Sequence, residues 1–298
     1  MRVEEREGVF SNVPSIPPHP PIASQRAPAS PLQGASGTGS QRVTGFTDNA
    51  AVTWLVPEEV PVAIMYNSRS YAVMMATPAD LTDLGIGFTL SEGFVAGAGE
   101  IKAIIAMAVE NGHCVDISVD EQALRMRKPP DRALEGRTGC GLCGIEDIAQ
   151  VIRPLPRVAR ERRIGAKAIE RAFGELPAHQ PMNSLTHSVH AAAWCDPMGR
   201  VLMVREDVGR HNALDKLLGA LARDNADFGS GFIAMTSRCS FELVQKAATM
   251  RVPLLATLSA PTALALELAG RAGMMLAARS PDGIVFFGSD GEGRDGSA

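Results

Sequence analysis

Two closely spaced cysteines are the most reactive feature of this sequence. Cys140 and Cys143 lie in RTGCGLCGIEDIAQVI, residues 137–152, and each has a glycine beside it. The thiolate is the nucleophilic form of cysteine. Arg137 and the N-terminus of a helix predicted over IEDIAQVI both favour the thiolate, whereas the carboxylates of Glu146 and Asp147 oppose it. Because glycine leaves the backbone free, the loop suits a thiol that visits two partners in turn.

Three kinds of chemistry use two thiols at this spacing. A structural zinc needs four ligands, and the other two would be His187 and His190 of THSVHAA. A dithiol oxidoreductase places its first cysteine at a helix start after a strand, whereas here glycines and a proline-broken segment precede the pair. A sulfur carrier accepts sulfur on one cysteine as a persulfide and passes it on, with the second thiol assisting release. The residues alone leave these readings open.

The motifs exclude a catalytic zinc of the deaminase type. That chemistry needs a His-x-Glu sequence and a later Pro-Cys-x-x-Cys. None of the six histidines has a glutamate two residues later, and glycine precedes Cys140. The sequence therefore lacks that metal set.

Polar residues follow three predicted strands at the points where helices begin. The three segments are REDVGRHNALDK (205–216), TSRCSFELVQKAA (236–248) and LSAPTALALELA (258–269). Free N–H groups at a helix start bind anions, and Arg210 and His211 would add hydrogen bonds. If the strands are neighbours, the junctions form one anion-binding rim. The alternative, equally good at the first junction, is a helix capped by Asp207 or Asn212.

The sequence pattern divides the chain into five segments. Residues 1–50, with seven prolines between Pro14 and Pro31, are predicted to be disordered. The others are a small α+β domain at 51–125, a mobile thiol loop with a connecting helical segment at 126–180, an α/β domain at 181–290 and a flexible tail at 291–298. In the α/β segment strands alternate with helices, which indicates a sheet covered by helices on its faces.

Turn and capping residues predict particular boundaries. EVPVAIMY and YAVMMA are predicted strands joined by NSRS, and IKAIIAMAVE and HCVDISVD form a hairpin around Asn111-Gly112. Thr77 is predicted to cap the helix in TPADLTDLGIGFTLSEGFV with Pro78 in its first turn, and Pro261 to lie in the first turn of PTALALELAGRAG. MMLAAR and GIVFF are predicted as a last pair of strands around SPDG.

Composition limits the class of protein. Hydrophobic residues make up 45% of the 298 residues and charged residues 21%, with a formal net charge of −4, which is typical of a globular protein and not of a nucleic-acid binder. No apolar run is long enough to span a membrane, and MRVEEREGVF is unlike a secretory signal. Five unevenly spaced cysteines favour reduced thiols and a cytoplasmic location, with Cys114 and Cys195 predicted to lie in the core.

Long segments of the chain resemble the FdhD/NarQ family of formate dehydrogenase accessory sulfurtransferases. The resemblance runs from about Glu58 to Phe287 and rests on EVPVAIMYNSRSYAVMMATPADLTDLGIGF, LSEGF, GCGLCG, HAAA, EDVGRHNALDK, SRCSFELVQKAA and SAPTALA. It implies a carrier that takes sulfur from a cysteine desulfurase. The sulfur then passes to the bis-molybdopterin guanine dinucleotide form of the molybdenum cofactor before that cofactor enters formate dehydrogenase. The first cysteine of the family's pair, here Cys140, would carry the persulfide, and Cys143 would assist.

The resemblance also implies an architecture and a cofactor site. The expected fold is α/β, with a three-layer C-terminal domain resembling the cytidine deaminase fold and a smaller β-rich α+β N-terminal domain. The molybdenum cofactor is expected as cargo with no permanently bound metal, and the expected partners are a cysteine desulfurase, the formate dehydrogenase catalytic subunit and a second copy of the chain. The junction residues and the family's segment near the last strand pair together give the candidate cofactor contacts: Arg210, His211, Asn212, Arg238, Ser259, Thr262, Ala278, Arg279, Ser280, Pro281, Asp282 and Gly283.

Overall fold

The structure is a computed structural model that describes residues 40–46, 51–127, 152–159 and 163–288. Cys140 and Cys143 lie outside the described residues, as does the predicted tail. The described chain begins with a hairpin of β1 (Ser40–Phe46) and β2 (Ala51–Pro57). Every residue of β1 pairs with one of β2, so the prediction of disorder is wrong for this part of residues 1–50.

A four-stranded sheet with a helix on one face forms the first unit. Its elements are β3 (Val60–Tyr66), β4 (Arg69–Ala76), α1 (Leu81–Ser91), a 3-10 turn (Ala98–Glu100), β5 (Ile101–Val109), β6 (Gly112–Val119) and α2 (Glu121–Arg127). The strand order is β4-β3-β6-β5. Both predicted hairpins are confirmed. The first turns at Asn67 and Ser68, whose φ values of 49° and 63° match the turn that twisted hairpins favour.

A six-stranded sheet with helices on both faces forms the second unit. Its elements are α3 (Ala166–Glu175), a 3-10 turn (Leu176–His179), α4 (Pro181–Thr186), β7 (His190–Cys195), β8 (Val201–Asp207), α5 (Arg210–Arg223), β9 (Phe232–Met235), α6 (Phe241–Thr249), β10 (Leu254–Thr257), α7 (Ala263–Ala272), β11 (Met275–Ser280) and β12 (Gly283–Phe287). The strand order is β12-β11-β10-β9-β7-β8. Helices α5, α6 and α7 pack on one face and α3 on the other. The predicted mixed α/β class is confirmed, and the likeness to cytidine deaminases stays a prediction.

The second unit extends upstream of the predicted boundary at residue 181. Ile169 and Phe173 of α3 pack against the six-stranded sheet. Val158 packs on the opposite face, and its N–H donates to the carbonyl of Ala272 at 2.8 Å. The connecting segment is therefore partly built into the second unit, because its apolar side chains cover that unit's core.

Two predicted helix starts are wrong. Helix α1 begins at Leu81, after Asp80, because Thr77 is engaged with the second unit: its N–H donates to Asp207 Oδ2 at 3.0 Å and its Oγ1 accepts from the N–H of Val208 at 3.2 Å. Helix α7 begins at Ala263, after Pro261, because Thr262 is its N-cap.

Helices α1 and α5 join the two units at very close range. A Cβ on Gly87 of α1 would lie 1.7 Å from the carbonyl oxygen of Asp215, and one on Gly219 of α5 would lie 1.9 Å from the carbonyl oxygen of Asp83. The two backbones approach this closely because both contact positions lack a side chain. The contact therefore fixes the position of α5, whose N-terminus carries Arg210 and His211.

Candidate functional site

The topology brings the three predicted polar junctions to one edge of the six-stranded sheet. Strands β9, β10 and β11 are parallel, and β8 runs in the same direction because β7 is antiparallel to both β8 and β9. The carboxyl ends of β8, β9, β10 and β11 thus share an edge, which is where ligands commonly bind in α/β sheets. We call this edge, with the junctions at 207–212, 236–240 and 258–262 and the turn at 280–283, the rim.

The first junction presents two basic side chains at an uncapped helix start. Helix α5 follows Gly209 with no side-chain cap, so neither Asp207 nor Asn212 caps it in the way the alternative prediction requires. Arg210 is partly buried, and its Nε is shielded from solvent without a hydrogen-bond partner among the described residues. An uncapped helix N-terminus beside such a donor favours an anion.

The first and second junctions touch through His211. Its Nε2 lies 3.5 Å from Ser240 Oγ and 3.8 Å from Glu242 Oε2. Burial alone would raise the pKa of Glu242, but hydrogen bonding with His211 and Ser240 outweighs burial and lowers it. Helix α6 also begins without a side-chain cap, directly after Ser240. The second junction thus adds another uncapped helix start, and exposed Arg238 has no ion-pair partner in the described ranges.

The second and third junctions are hydrogen bonded to each other. The N–H of Thr262 donates to the carbonyl of Cys239 at 3.0 Å, and Cys239 and Pro261 form a parallel bridge. Thr262 Oγ1 accepts from the N–H of Ala265 at 3.3 Å and so caps α7. Ser259 is exposed, and its carbonyl accepts from Thr257 Oγ1 at 2.7 Å. The three junctions are therefore continuous, although the third offers a capped helix start.

The predicted contacts at 278–283 have different surroundings from one another. Ala278 is buried and pairs with Thr257 on β10 and Val285 on β12, so its methyl group is shielded from solvent. Ser280 Oγ donates to the carbonyl of Gly283 and accepts from the N–H of Asp282, which closes the turn. The exposed residues of this group are Arg279, Pro281 and Asp282. The turn belongs to the rim, and Arg279 is its basic side chain.

Asn212, a predicted cofactor contact, fastens the two units together. Its Nδ2 donates to the carbonyl of Met75 at 2.8 Å and to Asp207 Oδ1 at 2.9 Å, and the residue is buried. The amide protons are thus occupied by protein acceptors. Asn212 therefore joins β4 to β8 and positions the start of α5.

Sequence reasoning missed a set of buried charges at the contact between the units. Lys216 and Asp207 are fully buried, with Nζ 2.6 Å from Oδ2, and Lys216 also donates to the carbonyl of Thr77 at 2.9 Å. Lys246 pairs with Asp215 at 2.8 Å and with Glu92 at 2.9 Å. We call these five residues and Thr77 the interface cluster. Burial opposes ionisation of Lys246, but the charges of Asp215 and Glu92 outweigh it and raise the pKa.

The cysteines within the described ranges are unsuited to sulfur transfer. Cys195 is buried, which confirms its predicted place in the core and raises its thiol pKa. Cys239 lies at the rim but is buried, and burial raises its pKa to about 12. Cys114 is partly buried, and burial raises its pKa as well. Because the thiolate is the reactive form, none of these three competes chemically with an accessible, activated thiol.

The two histidines of the zinc reading have different positions. His187 is exposed at the end of α4, whereas His190 is partly buried at the start of β7, on the rim. No group of three or more metal-ligating side chains occurs within the residues that the structure describes. Since Cys140 and Cys143 fall outside those residues, the four-ligand zinc site stays a prediction.

The rim and the sheet beneath it belong to a two-unit α/β protein that has relatives of known family. The family model described as the FdhD/NarQ family matches residues 57–286. The sulfur carrier protein FdhD of Variovorax paradoxus (strain S110) is 47% identical over 233 residues, covering 78% of this chain and 84% of the relative. That of Xanthomonas campestris pv. campestris (strain B100) is 44% identical over 270 residues, covering 87% and 93%.

A solved structure has the same architecture. The crystal structure described as that of a formate dehydrogenase accessory protein from Desulfotalea psychrophila matches with a TM-score of 0.65 at 25% identity, over 84% of this chain and 96% of that one. The chain therefore belongs to the FdhD/NarQ family, as the resemblance of its motifs implied. Among the helices that the structure describes, none is both long and apolar enough to cross a membrane.

Proposed function

We propose that this protein is a sulfur carrier for formate dehydrogenase. Cys140 receives sulfur from a cysteine desulfurase and passes it to the molybdenum cofactor, in its bis-molybdopterin guanine dinucleotide form, before that cofactor enters the enzyme. The cofactor is cargo, held at the rim through its phosphates. The protein acts in the cytoplasm as a homodimer and hands its cargo to the catalytic subunit of formate dehydrogenase.

The observation that carries this proposal is the basic rim in a member of this family. Helices α5 and α6 both begin there without a side-chain cap. Arg210 and Arg238 flank those starts, and the Nε of Arg210 is shielded from solvent without a hydrogen-bond partner among the described residues. Phosphate oxygens would accept hydrogen bonds from these groups, and guanidinium is the side chain best matched to them.

The sulfur chemistry follows from exchange at a persulfide. The Cys140 thiolate attacks the outer sulfur of the desulfurase persulfide, so that a new S–S bond forms on Cys140 and the donor cysteine leaves as a thiolate. The Cys143 thiolate then attacks the inner sulfur, which forms a Cys140–Cys143 disulfide and releases the outer sulfur as hydrosulfide to the cofactor. A thiol reductant restores the dithiol. Neither transfer needs another oxidant, because the two cysteines supply the two electrons that reduce the outer sulfur to hydrosulfide and become a disulfide in doing so.

Mass spectrometry of the intact protein tests the carrier role. After incubation with a cysteine desulfurase and cysteine, wild type is expected to gain the mass of one sulfur atom, and Cys140→Ala is expected to gain none. The matched control is Cys114→Ala, which removes a thiol of raised pKa and should load like wild type. Equal loading of Cys140→Ala would remove Cys140 from the role.

Metal analysis separates the carrier from the zinc reading. If Cys140, Cys143, His187 and His190 held a structural zinc, purified protein would contain one equivalent, and Cys140→Ser would lose it. A dithiol oxidoreductase would instead reduce a model disulfide without a desulfurase and would need both cysteines. The proposal expects neither result, and either one would replace it.

A further inference from the structure

His190 occupies the one place where another strand interrupts the rim. In the sheet, β7 lies between β8 and β9, so the first and second junctions are not on neighbouring strands. Strand β7 runs in the opposite direction and therefore starts at the edge where β8 and β9 end. Its first residue is His190, which lies opposite Asp207 in the β7–β8 pairing.

The alternation of the strand directs His190 toward the helices that begin at the rim. Ala192 and Trp194 pack with α5, α6 and α7, whereas Ala191, Ala193 and Cys195 pack with α3. Side chains two residues apart lie on the same face of a sheet. His190 therefore shares the face of Ala192, from which the uncapped starts of α5 and α6 approach the edge.

The charges around His190 come from the first junction. Burial lowers the pKa of His190, the positive charges of Arg210 and His211 lower it further, and Asp207 opposes them. The partly buried ring therefore lies among more positive than negative neighbours. An anion placed between these three basic side chains would relieve that repulsion and accept a hydrogen bond from the ring.

We propose that His190 is a ligand-binding residue of the rim and donates a hydrogen bond to a phosphate group of the bound cofactor. This inference rests on the proposed function, since it names a contact for the cargo that the rim is proposed to hold. Neither phosphate contact by the arginines nor sulfur transfer by Cys140 requires it. His190 would add a donor from β7 to the groups that the starts of α5 and α6 already supply.

Calorimetric titration with guanosine diphosphate, which reproduces the nucleotide part of the cofactor, tests the contact. The bound phosphate would offset the lowering of the ring's pKa, so we expect His190→Asn to weaken binding about tenfold at about pH 6, where a charge-assisted hydrogen bond is lost. The loss should be smaller at about pH 8, where the ring of wild type is neutral. Protonation of the ligand itself affects both proteins alike, so the difference between their pH profiles reports on His190.

His187→Asn is the matched control, because His187 is exposed at the end of α4 and its positive φ of 53° suits asparagine. It should bind like wild type at both pH values. If His190→Asn also binds like wild type while Arg210→Gln does not, the inference about His190 is wrong, but the rim remains the binding site. If binding by wild type does not depend on Arg210, the rim is not the nucleotide-binding site, and the proposed contact by His190 is wrong as well. Stoichiometric zinc lost from His190→Asn would also overturn the inference, because the ring would then be a metal ligand.

Discussion

Two basic side chains of helix α5, Arg210 and Lys216, have opposite surroundings. Lys216 is fully buried and its ammonium group is paired with Asp207 and the carbonyl of Thr77. Arg210 lies at the edge of the sheet with its Nε unpartnered among the described residues. Both belong to the segment REDVGRHNALDK, and the sequence of that segment alone does not show which of the two would bind a ligand. The difference is that a basic group already paired inside the protein stabilises the fold, whereas an unpaired one is left for a ligand.

The same contrast separates the interface cluster from the rim as a whole. In the interface cluster, Asp207, Asp215 and Glu92 neutralise the two lysines, and the partners come from both units. At the rim, Glu242 lies 3.8 Å from His211, and Asp207, which belongs to both regions, is already paired with Lys216. The cluster therefore orients α5, and the rim uses that orientation. Substitutions in the two regions should separate loss of stability from loss of binding.

The largest effect is expected from Lys216→Met. The change leaves Asp207 buried without its cation, which typically costs about 3–5 kcal/mol. Urea denaturation followed by circular dichroism measures the loss. Lys102→Met is the control, because it breaks an exposed pair with Asp120 and such pairs contribute little. A loss below about 1 kcal/mol for Lys216→Met would mean that the interface cluster does not hold the units together.

Gly219→Ala is expected to have the next largest effect. The added Cβ would lie 1.9 Å from the carbonyl oxygen of Asp83, so α1 and α5 must move apart at a cost of about 1–3 kcal/mol. Thermal unfolding measures it. Gly270→Ala in α7 is the matched control, since nothing lies within 4 Å of its added Cβ and alanine favours helix by about 1 kcal/mol. If both variants were stabilised, the close contact of α1 and α5 would be absent.

A smaller change in stability and a clear change in binding are expected from Arg210→Gln. Its guanidinium has no ion-pair partner within the part of the chain that the structure describes, so the urea midpoint should stay close to that of wild type. Affinity for guanosine diphosphate should fall about tenfold, because a charge-assisted hydrogen bond to phosphate is lost. Arg271→Gln, an exposed change near the other end of α7, should leave the affinity unaltered. Unchanged affinity in Arg210→Gln would contradict the contrast drawn between Arg210 and Lys216.

The smallest effect concerns the acid stability contributed by Glu242. Its pKa in the folded protein lies below the ordinary value of 4.5, so its stabilising contribution is present above that value and is lost as pH falls through the folded pKa. Glu242→Gln removes the titrating group, and the fall of stability between about pH 5 and pH 3 should become shallower. Urea midpoints across that range test this, and an unchanged slope would mean that His211 and Ser240 do not stabilise the carboxylate.

Much of the secondary structure could be predicted from the sequence because its signals are local. The alternating apolar residues of EVPVAIMY and YAVMMA and the short turn between them identify the β3–β4 hairpin, which the structure confirms. The two thiols of GCGLCG and the polar junctions were also visible, since their types and spacing are sufficient to suggest chemistry. The start of α1 was not predictable, because Thr77 is held by Asp207, 130 residues away in the sequence.

The sequence alone thus determined the strand–helix alternation, the hairpins, the family and the segments that carry charge near helix starts. Only the tertiary structure decided which of those charges pair with one another across the α1–α5 contact and which remain at the edge. The physical reason is that a hydrophobic period depends on neighbours within one element, whereas the role of a charge depends on burial and on partners that other elements supply. Arg210 and Lys216 are of the same class in the sequence, and their environments alone make one a candidate ligand contact and the other a structural residue.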